Sequence, residues 1–159
     1  MLDVSTVYAA PITAKLLGDF RVDVVKIEHP VGDPARTHGV AKEGHGLWWK
    51  VISRNNRCVT RNLSTPEGQQ ILRDFVVGAD VLVENFRPGV LENWGLGPDA
   101  LHELNASLIM LRVNGFGKTG PYDKRMSGFA HQTGEEIGPP NVAAVPRKRL
   151  ASPRFSALC

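Results

Sequence analysis

The 159-residue chain is long enough for one domain with a buried core, and its 42% hydrophobic and 22% charged residues exclude wholesale disorder. Its net charge of +3 belongs to one end: residues 141–159 hold Arg147, Lys148, Arg149 and Arg154 and no acid, which leaves −1 for residues 1–140. The body has no basic stripe with interleaved aromatics, no apolar run near the roughly 20 residues of a membrane span and no secretory leader pattern, so neither nucleic acid nor membrane is an expected partner.

Strand-like and helix-like runs alternate along the chain, the pattern of a parallel sheet wrapped by helices. Leu2–Tyr8 is predicted as a first strand. Pro11 then suits the first residue of a helix, where its missing N–H costs nothing, and Ile12, Leu16 and Leu17 recur at helical spacing. Val22–Glu28 is a Val-rich run fit for a strand buried on both faces. His29–Lys50, rich in Gly, Pro and charge, is expected to be a long loop.

Arg57–Leu63 is another strand candidate. Thr65-Pro66-Glu67 has the makings of a helix start, with a hydroxyl cap, a proline and an acid at the positive end of the helix dipole. Ile71, Leu72, Phe75 and Val76 give that helix an apolar face, and Gly78 ends it. Val81–Val83 is predicted as a strand, Pro88–Trp94 as a helical turn, Pro98–Leu104 as a helix and Leu108–Val113 as a strand. After Pro140 the periodicity vanishes, and residues 141–159 are expected to be a disordered basic tail.

Several readings of chemistry can be set aside. Cys58 and Cys159 form neither a ligand nor a disulfide pattern, so a reducing cytoplasm is the expected compartment. His131 has no ligand-type neighbour at metal spacing, so no metal is expected. The turn Tyr8-Ala9-Ala10-Pro11 lacks the G-x-G-x-x-G glycines that let a backbone approach a dinucleotide pyrophosphate, which disfavours NAD and FAD. Trp48 and Trp49 fit core or lid packing better than base stacking.

The segment of most interest runs from Asp80 to Gly89, an apolar strand that empties into Asn85-Phe86-Arg87-Pro88-Gly89. Open α/β sheets hold ligands at the C-terminal ends of their strands. An amide, an aromatic ring and a guanidinium placed there can engage a cofactor, although the same residues can also simply shape a turn.

Together with Asp23–Pro30 upstream and Val113–Tyr122 downstream, in that order, this segment resembles the class III CoA-transferases, the family of formyl-CoA:oxalate transferase, carnitine CoA-transferase and α-methylacyl-CoA racemase. The resemblance runs from about Leu2 to Pro140. It implies a Rossmann-like α/β sheet with flanking helices, the incomplete large domain of such an enzyme, with coenzyme A or an acyl-CoA as substrate and no metal. By resemblance Tyr8, Ala9, His29, Asn85, Phe86 and Arg87 are the CoA-binding candidates. His29 stands where the family often has an arginine facing the CoA phosphates, Asn55-Asn56-Arg57 at an Asn-Lys-Arg-like run, and Arg61 where a leucine is usual near the nucleotide.

The resemblance also implies acyl-CoA:carboxylate CoA transfer through an aspartyl anhydride, a case of nucleophilic catalysis by a carboxylate, while the racemase branch uses an acid–base pair. Both draw on segments that follow Gly120-Pro121-Tyr122. Only Asp123-Lys124-Arg125 separate that turn from Met126-Ser127-Gly128, and no acid follows Glu136, whereas the nucleophile is expected about a dozen residues past Gly138-Pro139-Pro140. No catalytic residue is therefore assigned, and the chain is expected to be inactive alone. It is read as a truncated transferase fragment. The alternatives are completion by a homologous or complementing chain, a CoA-binding or heterodimerising regulatory fragment, and a non-functional product.

Overall fold

The computed structural model describes residues 1–114. The sequence expectations for the downstream motif past Asn114, for the Gly-Pro-Pro turn, His131, Glu136 and the basic tail lie outside the described residues. In chain order the elements are β1 (Leu2–Asp3), α1 (Ala9–Asp19), β2 (Val24–Glu28), a 3-10 turn (Pro34–Arg36), β3 (Ala41–Lys42), β4 (His45–Gly46), α2 (Leu47–Ile52), β5 (Asn56–Thr60), α3 (Pro66–Val76), β6 (Val81–Glu84), α4 (Val90–Asn93), α5 (Pro98–Leu104) and β7 (Ile109–Arg112).

Five of the strands form one sheet in the order β5-β2-β1-β6-β7, and every pairing in it is parallel. This is the expected α/β architecture. The chain walks outward from β1 through β2 to β5, then returns to lay β6 on the other side of β1. The strand order thus reverses between β1 and β6, the place where such sheets open a crevice at their C-terminal ends.

The core lies beneath that crevice, where Leu2, Ile27 and Leu82 from the strands meet Leu72 and Val76 of α3 and Leu101 of α5. Helix α3 starts as its sequence dictates, with Thr65 Oγ1 accepting from Gly68 N at 3.2 Å. Gly68 is there because the Asn62 carbonyl would lie 1.9 Å from any Cβ. The helix buries Gly68, Leu72 and Val76 but leaves Phe75 exposed. Among the described residues no helix is long and apolar enough to cross a membrane.

Three expectations need correction. The first strand is only Leu2–Asp3, because the chain turns once Asp3 Oδ1 accepts the Ser5 N–H at 2.9 Å, and Val7 adopts a φ of 68° that no strand contains. Helix α1 begins at Ala9, which makes Pro11 its third residue, still within the first turn where an amide has no intrahelical partner. The stretch 29–50 is not a bare loop. It holds the 3-10 turn, the β3–β4 hairpin and most of α2, elements two to six residues long that leave no periodic signal.

The tryptophans belong to this stretch and not to the core. Trp48 is half exposed and lies 5.6 Å from the Tyr8 ring, while the Arg36 guanidinium sits 4.0 Å over the Trp49 ring.

Candidate functional site: the crevice between β1 and β6

The crevice is held open by a buried polar scaffold. Lys26 and Glu28, two residues apart on β2, share one face of the strand and are both buried. Both are enclosed by the protein and not solvated. Lys26 Nζ donates to the Ser5 carbonyl at 2.8 Å and lies 3.3 Å from Asp3 Oδ2 and 3.4 Å from Asp33 Oδ2. A buried ammonium persists only with such compensation.

Asp33, to which the sequence assigned no chemistry, organises the turn above β1. Its carboxylate accepts the Val7 N–H at 3.1 Å and the Ala35 N–H at 2.8 Å. Glu28 holds the same loop from below, accepting from Asp33 N at 2.6 Å and from Arg36 Nε at 2.5 Å. The Arg36 hydrogen bond is the main reason the Glu28 carboxyl stays below its ordinary pKa, against the opposing effect of burial. Ser5 Oγ adds a short contact to Asp3.

On the β6 side Asn85 does the corresponding work. Its Oδ1 accepts the Thr6 N–H at 2.8 Å and its Nδ2 donates to the Thr6 carbonyl at 2.8 Å. The Asn85 amide is therefore engaged in pinning the two strand ends together. Glu84, buried at the end of β6, takes the Phe86 N–H at 2.6 Å and the Arg112 Nε at 2.6 Å. Those bonds fix the direction in which the Phe86 ring leaves the strand.

The resulting recess has an apolar floor of Val4, Ile27, Leu63, Phe86 and Trp94, with the Phe86 and Trp94 rings edge to face at 5.3 Å. Ser5 and Thr6 form one wall, Glu28, Gly32 and Asp33 another, and His29, Arg61 and Asn62 the rim. A flat apolar or heteroaromatic group fits such a floor, and an anionic group fits the rim.

The six cofactor candidates divide. His29 and Phe86 line the recess. His29 is exposed and its Nδ1 accepts from Val31 N at 3.2 Å, which puts the proton of a neutral ring on Nε2. Asn85 stands behind the wall. Tyr8 caps α1 and turns away, its hydroxyl 2.8 Å from His38 Nδ1, and Ala9 opens α1 at the surface. Arg87 is exposed, one residue beyond Phe86, and is not part of the lining.

The sequence missed Ser5, Thr6, Asp33, Asn62 and Trp94. One signal was available for Asp33: two charges at period two on a strand expected to be buried demand buried partners, and Gly32-Asp33-Pro34 is the nearest acid-bearing turn. No group of three His, Cys, Asp or Glu side chains among the described residues is placed to hold a metal.

The profile described as CoA-transferase family III matches residues 1–151. The chain belongs to CoA-transferase family III. That match continues past Pro140, where the motif resemblance stopped. The chain is 46% identical over 160 residues to the succinyl-CoA–L-malate CoA-transferase beta subunit of Chloroflexus aurantiacus, covering 99% of this chain and 39% of that protein. Human succinyl-CoA:glutarate CoA-transferase is 33% identical over 163 residues, covering 96% of this chain and 37% of its own length. Among solved structures, a CAIB/BAIF family protein from Brucella suis superposes with a TM-score of 0.77 at 34% identity, over 83% of this chain and 36% of the other. The chain thus spans under two-fifths of the length of these family III relatives.

Proposed function

We propose that this chain is a coenzyme A-binding part of an acyl-CoA:carboxylate CoA-transferase and that the nucleotide end of CoA occupies the crevice between β1 and β6. The supporting observation is the recess itself, an apolar floor with a cationic rim at the reversal point of a parallel sheet in a chain of this family. His29 and Phe86 contact the nucleotide in this reading, Asn85 holds the wall they stand on, and Arg87, Tyr8 and Ala9 lie along the outer path of the ligand.

The carboxylate that would carry the acyl group as an anhydride is, in this proposal, not among these 159 residues, in which no acid follows Glu136. Two of the similar proteins carry the names of an alpha and a beta subunit, which favours a two-chain arrangement. Succinyl-CoA appears in the names of several relatives and is the donor to try first.

Calorimetric titration of the full chain with CoA, followed by a transfer assay with succinyl-CoA and a dicarboxylic acceptor, tests the reading. CoA binding together with transfer only when a full-length relative is added supports it. CoA binding with inhibition of that relative identifies a regulatory fragment instead. Absence of CoA binding overturns both.

A further inference from the structure

The rim of the crevice carries the charged side chain of Arg61. Arg61 follows the last residue of β5 and His29 the last residue of β2, and those strands pair in parallel with Glu28 opposite Thr60. The two rim residues therefore stand side by side, one rung beyond the sheet, with Arg61 N bonded to the Glu28 carbonyl at 2.8 Å. Neighbouring strands are about 4.8 Å apart, so one anion can touch both side chains.

The charge beneath the rim explains why Arg61 matters. Among the described residues Asp3, Glu28 and Asp33 pair with two cations, Lys26 and Arg36, so at formal charges this cluster keeps one excess negative charge. An anion entering the recess meets that field unless a cation on the rim answers it. Imidazole offers a hydrogen bond but no fixed charge near neutral pH. Arg61 is exposed, makes one side-chain bond, to the Thr60 carbonyl at 2.7 Å, and has no carboxylate within ion-pair distance among the described residues. Its fork is available.

We propose that Arg61 is the phosphate-selecting residue of this crevice, pairing through its guanidinium with a phosphate of the bound nucleotide while His29 donates from Nε2 to the same group. The inference rests on the CoA reading of the crevice and adds a specificity determinant to it. A guanidinium matches phosphate oxygens two at a time and keeps its charge at every working pH, and an ammonium on the same stem gives the charge without the fork.

The test is calorimetric titration of the full chain and of its Arg61→Leu and Arg61→Lys variants with CoA and with dephospho-CoA at low salt. Arg61 makes no buried contact, so both variants are expected to fold, and matching thermal melts check this. Arg61→Leu is expected to weaken CoA binding about 10- to 100-fold, with Arg61→Lys between it and the parent. A loss seen with CoA alone assigns the contact to the 3′-phosphate, and an equal loss with both ligands assigns it to the pyrophosphate. Either result supports the proposal. If Arg61→Leu binds CoA as well as the parent, the proposal is overturned while the CoA reading stands. If the parent itself fails to bind CoA, both fall.

Discussion

The Asn85 carboxamide exchanges two hydrogen bonds of 2.8 Å with the N–H and C=O of Thr6, as a neighbouring strand would. At the one place where the sheet reverses its order, a side chain thus continues the ladder after the backbones have parted. Asn85→Ala removes both bonds and leaves a partly buried N–H and C=O without partners, at a cost of about 1–3 kcal/mol. Urea denaturation of the two proteins measures it, and coincident midpoints would show that water replaces the amide freely.

Lys26 faces a sharper test. Its ammonium is buried between Asp3 and Asp33, so Lys26→Met leaves two buried carboxylates without the cation they share. Breaking a buried pair from one side costs about 3–5 kcal/mol. Adding Asp33→Asn to the Lys26→Met variant should recover part of that loss. Independent, additive effects of the two changes would contradict the coupling.

Acid should act through Glu28. Its folded-state pKa is held below the ordinary 4.5, chiefly by the Arg36 hydrogen bond, so Glu28 contributes stability above that ordinary value and loses it as pH falls through the folded one. Arg36→Met removes the main cause of the depression while burial still opposes the charge. The variant is expected to be less stable than the parent near pH 6 and to lose less on acidification below about pH 4.5. Melting temperatures recorded from pH 7 to pH 3 decide it, and parallel curves would remove Glu28 from the acid response.

Incubation of the chain alone with succinyl-CoA should yield no hydroxylamine-sensitive acyl-protein and no exchange of CoA onto a carboxylic acid. Mass spectrometry of the intact chain reads this directly. A covalent acyl adduct on any carboxylate would end the proposal that the nucleophile is not among these 159 residues.

Much of the sheet is legible in the sequence. The Val-rich runs ending at Glu28 and Val83 form strands because apolar residues buried on both faces leave no alternative, and Thr65 caps α3 through the hydroxyl its position promised. What escaped was governed by contacts far apart in sequence. Asn85 looked like a ligand-binding amide, and only the placement of Thr6, 79 residues away, shows where its hydrogen bonds go. Asp33 likewise takes part of its role from the Val7 N–H, 26 residues away in sequence. The Leu47–Ile52 helix lacks a side-chain cap and is too short to display a period, so its tryptophans carried the only signal, and that pointed to packing without saying against what.

The strand order has a consequence for how the protein is made. β1 lies in the middle of the sheet yet precedes its other four strands in the chain, and one of its two neighbours, β6, is made only after β5. A nascent chain synthesised as far as Arg61 can already pair β1, β2 and β5, but it carries β1 as a bare edge, and bare edges recruit other strands. Translation from Arg61 to Asn85 is therefore the interval in which this polypeptide is most exposed to mispairing. Its yield in a cell should depend on how quickly that interval passes, or on a chaperone that shields residues 2–6 until it does.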